Sequence, residues 1–272
     1  MSTVIVGFDF STGSAKAVDL AIDIANRWHS DLRLVYVKKS PTEDEAPIRE
    51  EIERRNAGVA HLLQDIKMDY VVLDGKVSDE LIGEARRCKA SLIVVGTNGM
   101  SGLSTNFIGR NTYKTITDSE MPVLNVRENF NFNKVLENIV LPIDFTSVTR
   151  QKVPITAKFA SMFGATIHIV GLYTSDSMDI RGLVNNYVDQ VEKYLDKANI
   201  KHVTVFLDAE KNLTTTTLDY ADKVNADLIT IMTEQERSLS NWRIGTFAAQ
   251  MLNISKHPIL SIRPEQIGTE SR

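Results

Sequence analysis

Hydrophobic residues along the first half of the chain alternate between short uninterrupted runs and longer segments with helical spacing. The runs TVIVGFDF, DLRLVYV, YVVLDG, SLIVVG and MPVLNV are rich in β-branched residues and predict five buried strands. Between the first two runs, Ala15, Val18, Ile22 and Ala25 fall on one face of a helix. Strands that alternate with helices predict a doubly wound α/β domain, in which a parallel sheet carries helices on both faces.

Three further helices complete the expected pattern of this half. A long helix over residues 42–66 is predicted to bury one apolar stripe, comprising Ile48, Ile52, Val59, Leu62, Leu63 and Ile66. Ser78 is expected to cap the next helix, with Asp79 and Glu80 in its first turn. A short helix over residues 110–118 is expected directly after Gly109.

The second half of the chain repeats the first. NIVLPIDFTS echoes TVIVGFDFST and places Asp144 135 residues after Asp9. DLITIMTEQERSLSNWRIG aligns without a gap with SLIVVGTNGMSGLSTNFIG, so that Gly245 follows Gly109 by 136 residues. A period of half the chain indicates a duplicated domain and not a solenoid of small repeats.

The repeat predicts two tandem domains of the same Rossmann-like class, each with a five-stranded parallel sheet. We place them at residues 1–127 and 138–272, joined by a polar linker at residues 128–137. The second helix of the second domain is expected to bury a matching stripe, formed by Ile180, Val184, Tyr187, Val191 and Leu195.

Composition and charge favour a cytoplasmic protein. Of the 272 residues, 43% are hydrophobic and 24% are charged, which is ordinary for a globular chain. The net charge of −4 gives no global attraction to nucleic acid or to an anionic membrane, so neither partner is expected. No apolar run reaches the roughly 20 residues that cross a bilayer, and MSTVIVGFDF does not have the pattern of a signal peptide. The single cysteine, Cys88, excludes an intramolecular disulfide and is expected to be a small core residue.

The segment GTNGMSGLSTNFIGRN, residues 96–111, carries the clearest chemical signal. Gly96 and Gly99 would remove side chains where the backbone turns, and the helix after Gly109 would present its first N–H groups to an anion. Glycines after strands commonly only make turns, so this pattern alone is weak. A Walker loop is excluded because no lysine follows the glycines, and a dinucleotide fingerprint is excluded because GFDFSTGS follows the first strand.

The glycine spacing makes the resemblance specific. The pattern G-x2-G-x9-G before MPVLNV, with VGFDFS at the first strand and DGKVSDELI after the third, resembles the universal stress protein family over nearly the whole chain, in its tandem form. That resemblance implies that the first domain binds ATP, with or without Mg²⁺, or a related adenine nucleotide. By position it implies that Asp9 and Val37 hold adenine and ribose. The residues implied for the phosphates are Gly96, Asn98, Gly99, Gly109, Arg110, Asn111 and Thr112.

The chain departs from the family pattern at Arg110, where binding members carry serine or threonine. A guanidinium could donate two charge-assisted hydrogen bonds to phosphate, or it could point to solvent and leave only backbone donors. Replacing the glycine at Gly99 by tryptophan should remove nucleotide binding without unfolding the protein. For Asp9 the alternative role is to satisfy nearby loop N–H groups.

The second glycine pattern is degenerate. Met232 and Gln235 replace the first two glycines, and Glu234 and Glu236 add negative charge near the phosphates. Gly245 keeps its place and is followed by a threonine. We therefore expect the second domain to bind no ATP in the usual way.

Two functional hypotheses follow. In the first, nucleotide occupancy in domain one tunes contacts with unidentified proteins during stress. The resemblance also implies that the edge strands PVLNV and PILSI meet and form an intrachain pseudo-dimer, and a homodimer stays open as well. The alternative is a scaffold that has lost nucleotide binding and acts only through protein partners. A carrier of other small molecules has no supporting feature beyond the fold. No catalytic pair or metal-ligand spacing is present, so an enzyme is not expected, although slow ATP hydrolysis stays open.

Overall fold

A computed structural model of the chain places its backbone in two units, Met1–Phe132 and Asn133–Arg272. The structure describes residues 2–97, 108–128, 136–209, 212–233, 235–237 and 242–265. For residues 235–237 and 242–243 only the backbone is described. None of the described helices is both long and apolar enough to cross a bilayer.

The first unit alternates strands with helices. Its elements are β1 (Thr3–Gly7), α1 (Thr12–Trp28), β2 (Asp31–Val37), α2 (Glu45–Val59), a 3₁₀ turn (Ala60–Leu62), β3 (Met68–Leu73), α3 (Val77–Arg87), β4 (Ala90–Thr97), α4 (Arg110–Asp118) and β5 (Val123–Arg127). The predicted helix over residues 110–118 is confirmed.

The sheet of the first unit is parallel, in the order β3-β2-β1-β4-β5. The chain runs outwards from β1 to β3 and then returns to β4 on the other side of β1, so the strand order reverses between β1 and β4. In open α/β sheets, ligands bind beyond the carboxyl ends of the strands at such a reversal. Val4, Ile5 and Val6 in β1 are fully buried, as expected for a central parallel strand that is covered on both faces.

The second helix is shorter than predicted. Ile48 and Ile52 are buried as expected, but α2 ends at Val59, and Leu62 is 43% exposed. The side chain of Asn26 on α1 explains the end of this helix, because its Nδ2 donates to the Leu62 carbonyl at 2.8 Å. Its Oδ1 also accepts from the Gln64 backbone N–H at 2.9 Å, so the chain beyond the helix is held in a turn.

Two smaller predictions about α3 were wrong. Ser78 does not cap the helix: it is buried within the first turn, and the capping residue is Lys76, which makes no side-chain capping hydrogen bond. Cys88 is the C-terminal capping residue of the helix and is only half-buried, so it is not a core residue.

The second unit repeats this arrangement with local differences. Its elements are β6 (Asn138–Ile143), a 3₁₀ turn (Thr149–Lys152), α5 (Val153–Phe163), β7 (Thr166–Tyr173), α6 (Met178–Lys197), β8 (His202–Asp208), α7 (Leu213–Lys223), β9 (Leu228–Met232), β10 (Gln235–Arg237), β11 (Trp242–Ile244), α8 (Thr246–Ile254) and β12 (Ile259–Ile262). The strands β12-β9-β6-β7-β8 form a parallel sheet, so the fold predicted for both domains is confirmed. A separate antiparallel hairpin pairs β10 with β11.

The buried stripe of α6 differs slightly from the predicted one. Val184, Val191 and Leu195 are buried as expected, whereas Val188 is buried in place of Tyr187. The ring of Tyr187 instead lies beneath the guanidinium of Arg150, with 4.1 Å between the ring centroid and Cζ.

Candidate functional site

A cavity of about 260 Å³ lies at the carboxyl ends of β1, β2 and β4, where the strand order of the first unit reverses. Strand ends, the start of α1, helix α3 and the first turns of α4 form its wall. The lining residues are Gly7, Phe8, Asp9, Ser14, Val35, Val37, Val77, Leu81, Val95, Gly96, Gly109, Arg110, Asn111, Thr112 and Thr115. The wall is therefore apolar where β2, α3 and β4 form it, and polar at the β1–α1 loop and at α4.

The β1–α1 loop fixes the position of Asp9. Its Oδ1 accepts from the backbone N–H of Ser11 at 3.1 Å and from the Ser11 hydroxyl at 2.5 Å. The backbone N–H of Asp9 donates to the Ser14 hydroxyl at 3.3 Å. Ser11 is also the N-cap of α1. The alternative role considered for Asp9 is thus present, and the exposed carboxylate also lines the cavity.

The N-terminus of α4 is an electrostatically unbalanced element. Its N-cap, Gly109, offers no side-chain hydrogen bond, and the first turn contains no acidic residue. Arg110 instead opens the helix, although a cation is unfavourable at the positive end of a helix dipole. Within the part of the chain that the structure describes, the exposed Arg110 side chain makes no hydrogen bond or ion pair. An anion at this helix end would relieve both features.

Gly96 and Gly109 line the cavity for different reasons. Gly96 lies inside β4, in register with Val126, so the prediction that it stands at a turn was wrong. A Cβ at Gly96 would come within 2.2 Å of the Gly13 carbonyl oxygen, so glycine is required for α1 to pack against the strand. A Cβ at Gly109 would meet no atom of the described residues within 4 Å, and its φ of −63° suits any residue. The packing of the described residues therefore does not require glycine at position 109.

Most residues implied by the resemblance come together around this cavity. Seven of them line it, namely Asp9, Val37, Gly96, Gly109, Arg110, Asn111 and Thr112. Asn98 and Gly99 lie outside the described residues. The remaining lining residues were missed, because side chains such as Val77 and Leu81 carry no chemical signal and read only as helix core. Their positions after parallel strands could have suggested them.

The second unit contains the counterpart of this cavity, reduced to about 10 Å³. Asp144 keeps the loop geometry of Asp9: its Oδ1 accepts from the Thr146 N–H at 2.9 Å and from the Thr146 hydroxyl at 2.6 Å. The remaining space is lined in addition by Pro142, Thr149, Lys152, Leu172, Leu213, Met232 and Phe247. The loop geometry is therefore preserved while the space is lost. The side chains of Gln235 and Glu236, and all of Glu234, lie outside the described residues.

Other candidate chemistry is structural where the structure describes it. No group of three or more metal-ligating side chains occurs among the described residues. Burial raises the pKa of the Cys88 thiol, which makes it less reactive at neutral pH. His168 and Tyr220 pack together in the second unit, with 3.1 Å between Nδ1 and the phenol oxygen.

Comparison with known proteins supports the duplication. The Universal stress protein family model matches the chain twice, over residues 1–127 and 136–263. Universal stress protein YxiE of Bacillus subtilis is 27% identical over 144 residues, which span 46% of this chain and 97% of that protein. The relative is thus about as long as one half of the chain.

Solved structures show the same fold. A universal stress protein from Archaeoglobus fulgidus superposes with a TM-score of 0.74 at 16% identity, and covers 96% of this chain and 98% of its own. A universal stress protein solved in complex with cAMP is 30% identical and covers 47% of this chain and 98% of its own, with a TM-score of 0.39.

Proposed function

The chain belongs to the universal stress protein family, with two copies of the family domain, and on that premise we propose that its first unit binds ATP or a related adenine nucleotide. The observation that carries the proposal is the open cavity of about 260 Å³ at the strand-order reversal of the first unit. The proposal assigns binding and not catalysis to this site.

The lining of the cavity suits the two chemically different parts of a nucleotide. Val37, Leu81 and Val95 offer an apolar surface on which a base can be buried. Asp9, held by Ser11, offers a carboxylate that can accept hydrogen bonds from ribose hydroxyls. Apolar walls with a few positioned polar groups are typical of small-molecule sites.

The uncapped N-terminus of α4 suits phosphate. The backbone N–H groups of its first turn have no side-chain cap, and the positive end of the helix dipole favours an anion. Arg110 adds a full positive charge at the same place and can form charge-assisted hydrogen bonds with phosphate oxygens. No described residue fills the space at Gly109, which allows a ligand to approach the backbone closely.

Calorimetric titration with magnesium–ATP, after removal of any copurified ligand, tests the proposal. We expect one equivalent of ATP to bind, and a parallel series of ADP, AMP and cAMP to show how many phosphates contribute. Absence of binding at millimolar ligand would contradict the proposal and favour the scaffold hypothesis, in which the protein acts only through protein partners.

A tryptophan at Gly109 tests the location of the site. Because a Cβ there meets no atom of the residues that the structure describes within 4 Å, we expect Gly109→Trp to fold normally and to lose nucleotide binding by filling the cavity. Gly182→Trp is the matched control, since Gly182 on α6 of the second unit is equally open. Equal affinity of the two variants would place the nucleotide elsewhere.

We further propose that nucleotide occupancy regulates contacts with other proteins during stress. A ligand can do so only if it binds one conformation more tightly than another, and it then raises the thermal stability of that conformation. A melting temperature that rises with ATP concentration would show the binding that this role requires, and it would separate the role from the scaffold hypothesis.

A further inference from the structure

The pocket of the second unit is formed by the same elements as the cavity of the first unit, but it encloses almost no space. We propose that this pocket is occupied by the protein's own side chains, with Lys152 in the place of a ligand. On this account, trimming Lys152, Met232 and Phe247 converts it into a second nucleotide site. The identity of the ligand rests on the function proposed for the first unit, whereas the internal occupation of the pocket rests on the second unit alone.

Lys152 is the most unusual side chain in this pocket. It is only 3% exposed, and its amine donates to the Thr149 carbonyl at 2.7 Å and to the Thr149 hydroxyl at 3.0 Å. A buried amine requires such partners, and the 3₁₀ turn Thr149–Lys152 supplies them from within the unit. The counterpart of Lys152 in the first unit, 135 residues earlier, is Ala17, which cannot reach into a cavity.

Met232 changes the backbone around the pocket. It stands 136 residues after Gly96 and is 4% exposed. In the first unit, α1 begins at Thr12 and packs where a Cβ on Gly96 would clash. A methionine excludes that close approach, and the second unit accordingly has a 3₁₀ turn and then α5, which begins only at Val153. This altered helix start is what carries Lys152 into the pocket.

Phe247 occupies the wall that would face phosphate. It is the second residue of α8 and replaces Asn111, the second residue of α4. An aromatic side chain there takes up volume and supplies no hydrogen-bond donor for an anion. Asp144 and Thr146 nevertheless hold the geometry of Asp9 and Ser11. Three side chains and the altered helix start, within the same sheet order, therefore account for the lost space.

The test measures ATP stoichiometry by calorimetry in four full-length proteins. Wild type should bind one equivalent, and Asn111→Phe, which places the residue of the second unit in the first, should bind none. Because the proposal attributes the lost binding to missing space and not to the charges of Glu234 and Glu236, Lys152→Ala/Met232→Gly/Phe247→Asn should bind two equivalents with both glutamates in place. The same triple substitution combined with Asn111→Phe should bind one, and this protein reports on the second unit alone.

Failure of this inference is distinguishable from failure of the function proposed for the first unit. A folded triple variant that binds no more ATP than its parent would overturn the inference, whatever the first unit does. If the wild-type protein binds no ATP but the triple variant binds one equivalent, the function proposed for the first unit is overturned and the inference about the second unit stands. Should circular dichroism show the triple variant to be unfolded, Lys152→Ala/Phe247→Asn decides the question. A crystal structure of that double variant must show an enlarged pocket, and one that has closed again around Met232 would contradict the proposal.

Discussion

The two copies of the domain hold equivalent loops at equivalent points, yet their pockets differ from about 260 Å³ to about 10 Å³. Asp9 and Asp144 make the same pair of hydrogen bonds, so the loop geometry does not determine whether the pocket is open. What differs is the volume of a few side chains, above all glycine at position 96 against methionine at position 232. A duplicated domain can thus keep its sheet order and its loop hydrogen bonds and still lose its cavity through a few substitutions.

The largest effect is expected from placing a side chain on β4 of the first unit. Gly96→Ala brings a Cβ within 2.2 Å of the Gly13 backbone oxygen, so α1 must shift and the free energy of unfolding should fall by about 3 kcal/mol or more. Gly109→Ala is the control, with an expected change within about 0.5 kcal/mol. Urea unfolding measures both variants. Equal stability would show that the contact between α1 and β4 does not depend on glycine.

The next effect concerns one core position that the two units fill differently. In the first unit the carboxylate of Glu84, which is 2% exposed, accepts from Arg33 Nη1 at 2.7 Å. In the second unit the counterparts are Tyr220 and His168, a neutral pair. Glu84→Gln should cost about 2 kcal/mol of unfolding free energy, and Tyr220→Phe about 1 kcal/mol, because hydrogen bonds to charged groups are stronger. Denaturation that ranks them in the opposite order would contradict this comparison.

A smaller loss of stability is expected at the loop after the first strand of each unit, because an α-helix follows that loop directly only in the first unit. Ser11 caps α1 and accepts from the Ser14 N–H at 3.2 Å, so Ser11→Ala should cost about 1 kcal/mol. Thr146→Ala, at the corresponding position of the second unit, removes no helix cap and should cost less. Thermal unfolding of the two variants under one buffer condition measures the difference. A larger loss for Thr146→Ala would show that the two loops do not differ in this way.

The smallest effect is a pH dependence that comes from one histidine of the second unit, His168. Burial lowers the pKa of His168, so the folded state favours the neutral ring, whereas the unfolded chain takes up a proton near pH 6.5. This contribution to stability is complete above about pH 6.5 and declines as the pH falls below it. Arg33, the counterpart in the first unit, has its pKa raised by hydrogen bonds to Asp69 and then Glu84 and stays charged.

His168→Gln tests this dependence. The variant should lose less stability than wild type between pH 7 and pH 5, as measured by urea unfolding at each pH. Parallel stability curves for the two proteins would show that His168 does not contribute.

The fold was predictable from sequence because it depends on periodic patterns, whereas the residues of the candidate site were implied by the resemblance to the universal stress protein family and their role stays a prediction. Buried parallel strands are continuous apolar runs, and the half-chain repeat is visible residue by residue. The role of Gly96 was not predictable, since a glycine that admits a neighbouring helix and one that forms a turn look alike in sequence. The role of Lys152 was not predictable either, because lysine side chains are almost always exposed and the sequence gives no sign that this one is buried.

The most direct test of the account is to map ATP-induced shifts of backbone amide resonances in the full-length protein. We predict shifts at Asp9 and at Arg110, Asn111 and Thr112 on α4, with none at Asp144 or at the first turn of α8 in the second unit. Shifts at Asp144 and the start of α8, with none at Asp9 and α4, would contradict the assignment of one open and one self-occupied pocket.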